Sequence, residues 1–135
     1  MSTYKFSINV VARHPSYSAE KISTWLGWEP CNAWSVGDAC ITPSGTLLSG
    51  SRSDTMCAFR FEHDDDQLTL AAIAVIEHLR LHRTFILELL SSGGTLELNI
   101  GFNGNFHASL DLPTETLQYL CDLRVRLTFE CFPDG

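Results

Sequence analysis

The stretch from Asp64 to Ser92 constrains the fold more than any other, because its long apolar repeat is not interrupted by Gly or Pro. Its apolar residues recur at the three- and four-residue steps of a helix: Leu68, Ala72, Val75, Leu79, Ile86 and Leu89. Three acids, Asp64 to Asp66, suit the start of such a helix, and the Ser91-Ser92-Gly93-Gly94 segment suits its end. The sequence therefore predicts one central helix, about 37 Å long, deep in the fold.

The segment His82-Arg83-Thr84 interrupts the apolar stripe of this helix. It predicts either a kink or a division into two helices. Further apolar residues widen the stripe beyond one narrow face: Ile73, Ile76, Leu81, Phe85, Leu87 and Leu90.

Alternation of apolar and polar residues indicates strands with one buried face at 4–12, 56–62, 96–102, 106–112 and 125–131. The polar second face predicts a mainly antiparallel sheet, with helices on one side and water or a polar partner on the other. Asn103-Gly104-Asn105 predicts a hairpin loop between the strands at 96–102 and 106–112. That hairpin would pair Leu98 with Leu110 and Leu96 with Leu112.

Two short helices complete the prediction of a single α+β domain over residues 1–135. Ser18 suits the N-cap of the first and Gly27 its left-handed closing position, while the second opens at Pro113-Thr114-Glu115. The pattern Phe6-x-Ile8-x-Val10 before the first helix is similar to Phe106-x-Ala108-x-Leu110 before the second. Duplicated strand-helix-strand units are therefore a further prediction.

Residues 28–54 differ from the rest of the chain, because Pro, Gly and five serines are concentrated there. We predict a long loop with short strands at 39–42 and 46–48. Long loops in small domains often carry function, so the candidate binding residues are Trp28, Trp34, Asp38 and Arg52. The aromatic rings are suited to anchor a ligand, and the two charges to orient it.

The tryptophans have an alternative role, which is to close the open end of the core. Trp25 has helical neighbours in Ile22 and Leu26, so we assign it to such a plug. Trp34 has no neighbour that spacing predicts, so we assign it to recognition.

The sequence contains none of the nucleophile, phosphate-loop, dinucleotide or zinc-protease signatures, so no catalytic residue is predicted. His78 and His82 have the spacing of a metal pair, but no third ligand has a predictable position. We therefore predict neither a metal nor a cofactor. The five cysteines are odd in number and form no C-x-x-C pair, and we interpret them as buried free thiols.

The net charge of −7 argues against nucleic acid as a partner, because contacts to phosphates need clustered Lys and Arg. A basic or amphiphilic protein surface suits this charge better. The first residues resemble no signal peptide, and no apolar run reaches the ~18 residues of a membrane span. The expectation is a cytoplasmic protein that does not enter a membrane.

The chain resembles an uncharacterised bacterial family, domain of unknown function 4279, over nearly its whole length. The residues that carry this resemblance are Leu26-Gly27-Trp28-x-Pro30, Gly37-Asp38, Thr42-Pro43-Ser44-Gly45 and the closing Leu112-Pro113-x-x-x-Leu117-x-x-Leu120-x-x-Leu123. In that family an aromatic residue begins the strand where this chain has Cys57. The resemblance implies a compact bacterial α+β domain without an established activity, and some similar small proteins act as immunity partners of toxins.

Two functions follow as expectations. The first is a non-enzymatic cytosolic binding domain, of an immunity or regulatory type, that uses the acidic surface and the segment from Trp28 to Arg52. The alternative is a small-molecule-binding or enzymatic domain, with a pocket between that segment and the sheet, lined by Trp34, Asp38 and Arg52. A homodimer that pairs sheet faces or strand edges is a third expectation.

Overall fold

The computed structural model describes residues 4–104 and 109–132. Its elements follow in the order β1 (Phe6–His14), α1 (Ala19–Leu26), β2 (Asn32–Trp34), β3 (Ala39–Ile41), β4 (Leu47–Ser51), β5 (Thr55–His63), α2 (Leu68–Leu81), α3 (Arg83–Ser91), β6 (Thr95–Asn103), α4 (Thr114–Asp122) and β7 (Arg126–Phe132). Strands β2, β5, β1, β6 and β7 form one sheet in that order, and β3 with β4 forms a second. The predicted α+β class is confirmed.

Strand β1 lies at the centre of the larger sheet because one of its faces is wholly apolar. It pairs antiparallel with β5 and with β6, whereas β6 and β7 run parallel, so the sheet is mixed but mainly antiparallel. Phe6, Ile8, Val10 and Ala12 are fully buried in the core, together with residues from all four described helices. Burial of this face is the main source of stability for the sheet.

The predicted central helix is divided into α2 and α3, which meet at His82. The His82 backbone (φ −105°, ψ 26°) leaves the helical range, and its ring Nδ1 lies 2.8 Å from the His78 carbonyl oxygen. A single long helix is therefore not confirmed, and the division into two is the alternative that the structure adopts.

The acids before α2 do not cap it as predicted. The helix begins at Leu68 after Gln67, and no side chain accepts a hydrogen bond at its N-cap. Asp65 instead accepts from the Gln67 backbone N–H at 3.0 Å, and Asp66 pairs with Lys5 at 3.1 Å. The acids thus organise the turn that leads into the helix.

The prediction of a hairpin after β6 is wrong for the residues of its second strand that the structure describes. Residues 109–113 form no strand, and Leu98 lies between Val10 of β1 and Leu127 of β7. The segment at 105–108 and the tail beyond Phe132 lie outside the described residues. The duplicated unit is not confirmed either, because the described residues 109–112 of its predicted second strand form no strand.

The ends of α1 and the two short strands agree better with the sequence prediction, whereas the cysteines do not. The Ser18 side chain accepts a hydrogen bond from Lys21 N at 3.1 Å, and Gly27 ends α1 in the left-handed conformation (φ 76°). Strand β3 lies within its predicted range of 39–42. Strand β4 begins one residue later and ends three residues later than its predicted range of 46–48. The cysteine interpretation is wrong for most positions, because Cys57 is buried while Cys31, Cys121 and Cys131 are exposed.

One buried polar side chain, His14, connects the end of β1 to the neighbouring turn and to the end of α3. Its Nδ1 accepts hydrogen bonds from the backbone N–H groups of Ser16 (3.0 Å) and Tyr17 (2.9 Å). Its Nε2 lies 2.8 Å from Ser92 Oγ. The ring is therefore neutral, with its proton on Nε2. Burial, and secondarily the charge of Lys21, lowers the pKa of His14 from its usual 6.5.

This pKa shift predicts a loss of stability in mild acid. Below pH 6.5 the unfolded chain takes up a proton on this histidine that the folded chain still excludes, so the free energy of unfolding falls as pH falls through that range. Urea unfolding at about pH 8 and about pH 5.5 measures the effect. We expect His14→Gln to lose less stability between the two pH values than the wild type does. Equal losses in the two proteins would contradict this role for His14.

Candidate functional site

Three of the four candidate binding residues meet in one groove within the 28–54 segment. The groove has a volume of about 550 Å³ and is lined by Asn32, Ala33, Trp34, Asp38, Ala39, Ile41, Pro43 and Arg52. On one side lies β2, the edge strand of the large sheet, and on the other lies β3 of the small sheet. All eight lining residues belong to the 28–54 segment.

Strand β2 positions Trp34 by pairing with β5, where Trp34 lies opposite Met56. Cys57, the next residue of β5, packs into the core under the helices. Because successive side chains point to opposite faces of a strand, Met56 and Trp34 lie on the sheet face away from the helices. Trp34 therefore contributes to the open face and not to the main core.

A tight turn between β2 and β3 positions Asp38 and brings Arg52 beside it. The Ser35 N–H donates to Asp38 Oδ2 at 2.9 Å, and Gly37 adopts the left-handed conformation (φ 88°) that the turn requires. The Arg52 N–H donates to the Asp38 carbonyl at 2.8 Å, and the Gly37 N–H donates to the Arg52 carbonyl at 2.9 Å. Asp38 thus shapes the turn, and its Oδ2 is already engaged.

The Arg52 guanidinium lies over the Trp34 ring, 3.8 Å from the ring centroid, as a cation–π pair. No described residue forms an ion pair with Arg52. Trp34 Nε1 and Arg52 Nε are buried and have no hydrogen-bond partner within the described chain. Because an unsatisfied buried donor costs roughly 1–3 kcal/mol, a ligand that supplies an acceptor here would recover part of that cost.

The β3–β4 hairpin beside the groove exposes apolar side chains. Ile41, Leu47 and Leu48 have 53%, 68% and 51% of their surface accessible. The hairpin turn is ordered by its own hydrogen bonds, since the Thr46 N–H donates to Thr42 Oγ1 at 3.0 Å and the Thr42 N–H donates to the Thr46 carbonyl at 2.9 Å. An ordered hairpin with several exposed aliphatic residues is typical of an interaction surface.

Trp28 lies elsewhere, against the core. Its ring stacks on His78 at 4.2 Å and contacts the rings of Phe59 (5.4 Å) and Phe61 (5.0 Å). This geometry is that of the predicted plug and separates Trp28 from the other three candidates. Trp25 was assigned to the plug, and that assignment is wrong: 57% of its surface is accessible, and its ring stacks on Phe85 at 5.7 Å at the domain surface.

The histidine pair, His78 on α2 and His82 at the junction with α3, is engaged within the fold. His78 Nε2 contacts the Leu26 carbonyl, and the His78 and His82 rings stack at 4.4 Å. In residues 4–104 and 109–132, no cluster of three or more His, Cys, Asp or Glu side chains is arranged to hold a metal ion. Burial, with a smaller effect from Cys31, raises the pKa of the Cys57 thiol to about 11, which keeps it protonated and unreactive.

Sequence reasoning missed β2 and the pairing of Arg52 with Trp34. A three-residue strand is too short for alternation to be detected, and a contact across 18 positions has no periodic signal. The local sequence offers no signal for this pairing, because the acid nearest to Arg52 is Asp54, only two positions away, whereas Trp34 is 18 positions away.

Comparison of the chain with protein-family models, curated proteins and solved structures gave no match. The family resemblance described above therefore stays a prediction. Among the described helices, none combines the length and the apolar character needed to cross a bilayer.

Proposed function

We propose that this chain is a non-enzymatic cytosolic binding domain, of an immunity or regulatory type, that takes a protein partner on its 28–54 segment. The recognition surface consists of Trp34 and Arg52 in the groove and Ile41, Leu47 and Leu48 on the hairpin. The observation that carries the proposal is the exposure of these three aliphatic side chains on one hairpin, with Ile41 in the same groove as Arg52, an arginine that has no ion-pair partner among the described residues. Aromatic residues and arginine are the side chains most enriched at binding hot spots.

The groove is poorly equipped for catalysis. Among its described lining residues there is one carboxylate, on Asp38, and no His, Cys or Lys that would act as base or nucleophile. Asp38 already accepts a hydrogen bond from the Ser35 backbone. These features support binding over reaction at this site.

The partner surface follows from the chemistry of the recognition surface. Exposed aliphatic residues require apolar groups opposite them, and the net charge of −7 favours a partner with basic residues at the rim. An amphiphilic protein surface meets both requirements. A second copy of this chain meets only the first, since two chains of the same charge repel.

A small-molecule-binding domain is the second candidate, and the volume of the groove favours it. About 550 Å³ is within the range of ligand pockets, and Arg52 and Asp38 supply two opposite charges for orientation. Of the three exposed aliphatic residues of the hairpin, this alternative uses only Ile41, which lines the groove, and for that reason it ranks second.

Affinity capture from lysate of the source cell, with a matched pair of surface variants, tests the proposal. The hairpin variant carries Ile41→Ser, Leu47→Ser and Leu48→Ser, and the control carries Leu70→Ser, Leu81→Ser and Leu117→Ser. All six residues are exposed, so we expect both proteins to melt close to the wild type. We expect the hairpin variant to lose a stoichiometric partner that the control retains.

Two results would contradict this expectation. Equal capture by the hairpin variant and the control would exclude the hairpin as the interface. Native mass spectrometry that finds a bound small molecule, with no protein partner captured by the wild type, would favour the second candidate instead.

A further inference from the structure

We infer that the groove takes an extended segment of the partner that carries a carboxylate, with Arg52 as the residue that binds this group. The inference rests on the proposed function and assigns the chemistry of one contact within it. Its supports are the state of Arg52, the way in which that residue is held, and the shape of the groove.

The first support comes from a comparison of the ion-pair partners of the arginines. Arg13, Arg60 and Arg80 each have a carboxylate within 4 Å, on Asp54 (3.4 Å), Glu62 (3.7 Å) and Glu77 (3.5 Å). Arg52, like Arg83, Arg124 and Arg126, has no carboxylate partner among the described residues. Of these four arginines, Arg52 is the one in the described chain whose Nε is buried without a hydrogen-bond partner, and it lines the groove. A guanidinium that is partly buried and unpaired is a site for an external carboxylate.

The second support is the way in which Arg52 is held. Stacking on Trp34 restricts the side chain before any ligand arrives, and the backbone bonds to Gly37 and Asp38 fix the main chain that carries it. A planar guanidinium fixed in this way loses little rotamer freedom when it binds a carboxylate. Its buried Nε–H and the Trp34 Nε1–H are two donors that still lack acceptors in the described chain.

The third support is the shape of the groove. It runs between β2 and β3, and each of these strands has one edge that pairs with no other described strand. Such edges accept an extended peptide through its backbone groups. The lining alanines, Ile41 and Pro43 provide apolar contacts for side chains on either side of the carboxylate.

A carboxylate fits this groove better than a phosphate does. Asp38 lines the same groove as Arg52, and its negative charge opposes a dianion more than a monoanion. The apolar part of the lining also has no counterpart on a free phosphate. Phosphate is therefore the alternative ligand that the experiment has to separate.

The test uses the ¹⁵N-labelled full chain and two peptides that differ in one group. The probes are acetyl-Lys-Val-Glu-Val-amide and acetyl-Lys-Val-Gln-Val-amide, and the signals followed are the Trp34 indole N–H and the Arg52 Nε–H, assigned with Trp34→Phe and Arg52→Lys. We expect the Glu peptide to shift the signals saturably and to bind roughly tenfold or more tightly than the Gln peptide. Arg52→Lys, with its melting temperature as the folding control, should weaken the Glu peptide and leave the Gln peptide unchanged.

Several outcomes would overturn the inference: equal affinity for the two peptides, equal weakening of both by Arg52→Lys, or no saturable shift up to about 10 mM peptide. Saturable shifts with inorganic phosphate, and none with the Glu peptide, would also overturn it. In each of these cases the proposed function stands if the hairpin variant still loses the captured partner. If that partner is also retained, both proposals fail.

Discussion

Replacing Leu79 by Ala is expected to lower the free energy of unfolding by about 2 to 5 kcal/mol, the usual cost of removing a buried leucine side chain. Leu79 lies on α2 with none of its surface accessible, in the core formed with β1 and the other helices. Such a site cannot collapse freely around the missing atoms, because the sheet fixes the opposite wall. Urea unfolding followed by circular dichroism measures the change.

The matched control lies two residues away on the same helix. Leu81 has 77% of its surface accessible, so Leu81→Ala should change the free energy of unfolding by about 0.5 kcal/mol or less. The two variants share residue type, helix and helix propensity and differ in burial. Small and equal effects would show that α2 is not the core element described above.

The sequence predicts β1 and β5 to β7 well, because each strand is recognised from alternation within its own residues. In β1, β5 and β6 one face is buried against the helices, so alternation in the sequence reports a difference in burial between the two faces. Strand β7 alternates too, but it lies at the edge of the sheet, and 53% of the Phe129 surface is accessible. Alternation does not report which strand lies beside which. The hairpin after β6 was predicted from a nearby turn signal, whereas β6 pairs with β1, almost 90 positions away, and with β7 across α4.

The division between α2 and α3 illustrates a second limit. An apolar repeat tells which residues face the core but not whether the axis is continuous through His82. At the break the His82 backbone leaves the helical range and its ring Nδ1 lies 2.8 Å from the His78 carbonyl oxygen, a geometry that apolar spacing does not report. The same is true of the acids before α2, where the ion pair of Asp66 with Lys5 competes with capping.

The sequence indicated the segment in which the candidate site lies, but not the contacts that bring its residues together. Composition identified residues 28–54, and three of the four candidate residues in it line one groove. Their meeting depends on β2 pairing with β5 and on the bonds between Gly37, Asp38 and Arg52, none of which has a signal in the local sequence. Trp28 was separated from them by a ring stack on His78, a residue 50 positions away.

Replacing Trp34 by Ala is expected to weaken binding of the captured partner by roughly 30-fold or more, the effect of losing a hot-spot residue. The substitution removes the ring that holds the Arg52 guanidinium, so it takes away two contacts of the groove at once. Trp34 is only partly buried and lies outside the main core, so the melting temperature of the Trp34→Ala protein should fall by only a few degrees. Calorimetric titration and thermal melts on the same samples measure both quantities.

Two other tryptophans make this experiment decisive. Trp28→Ala removes a ring packed on Phe59, Phe61 and His78, so it should cost on the order of 3 kcal/mol of stability, and any loss of binding should follow from unfolding. Trp25→Ala removes an exposed ring on α1 and should leave binding unchanged. Recognition by Trp34 is excluded if its variant melts as far below the wild type as the Trp28 variant, or if it binds the partner as well as the Trp25 variant does.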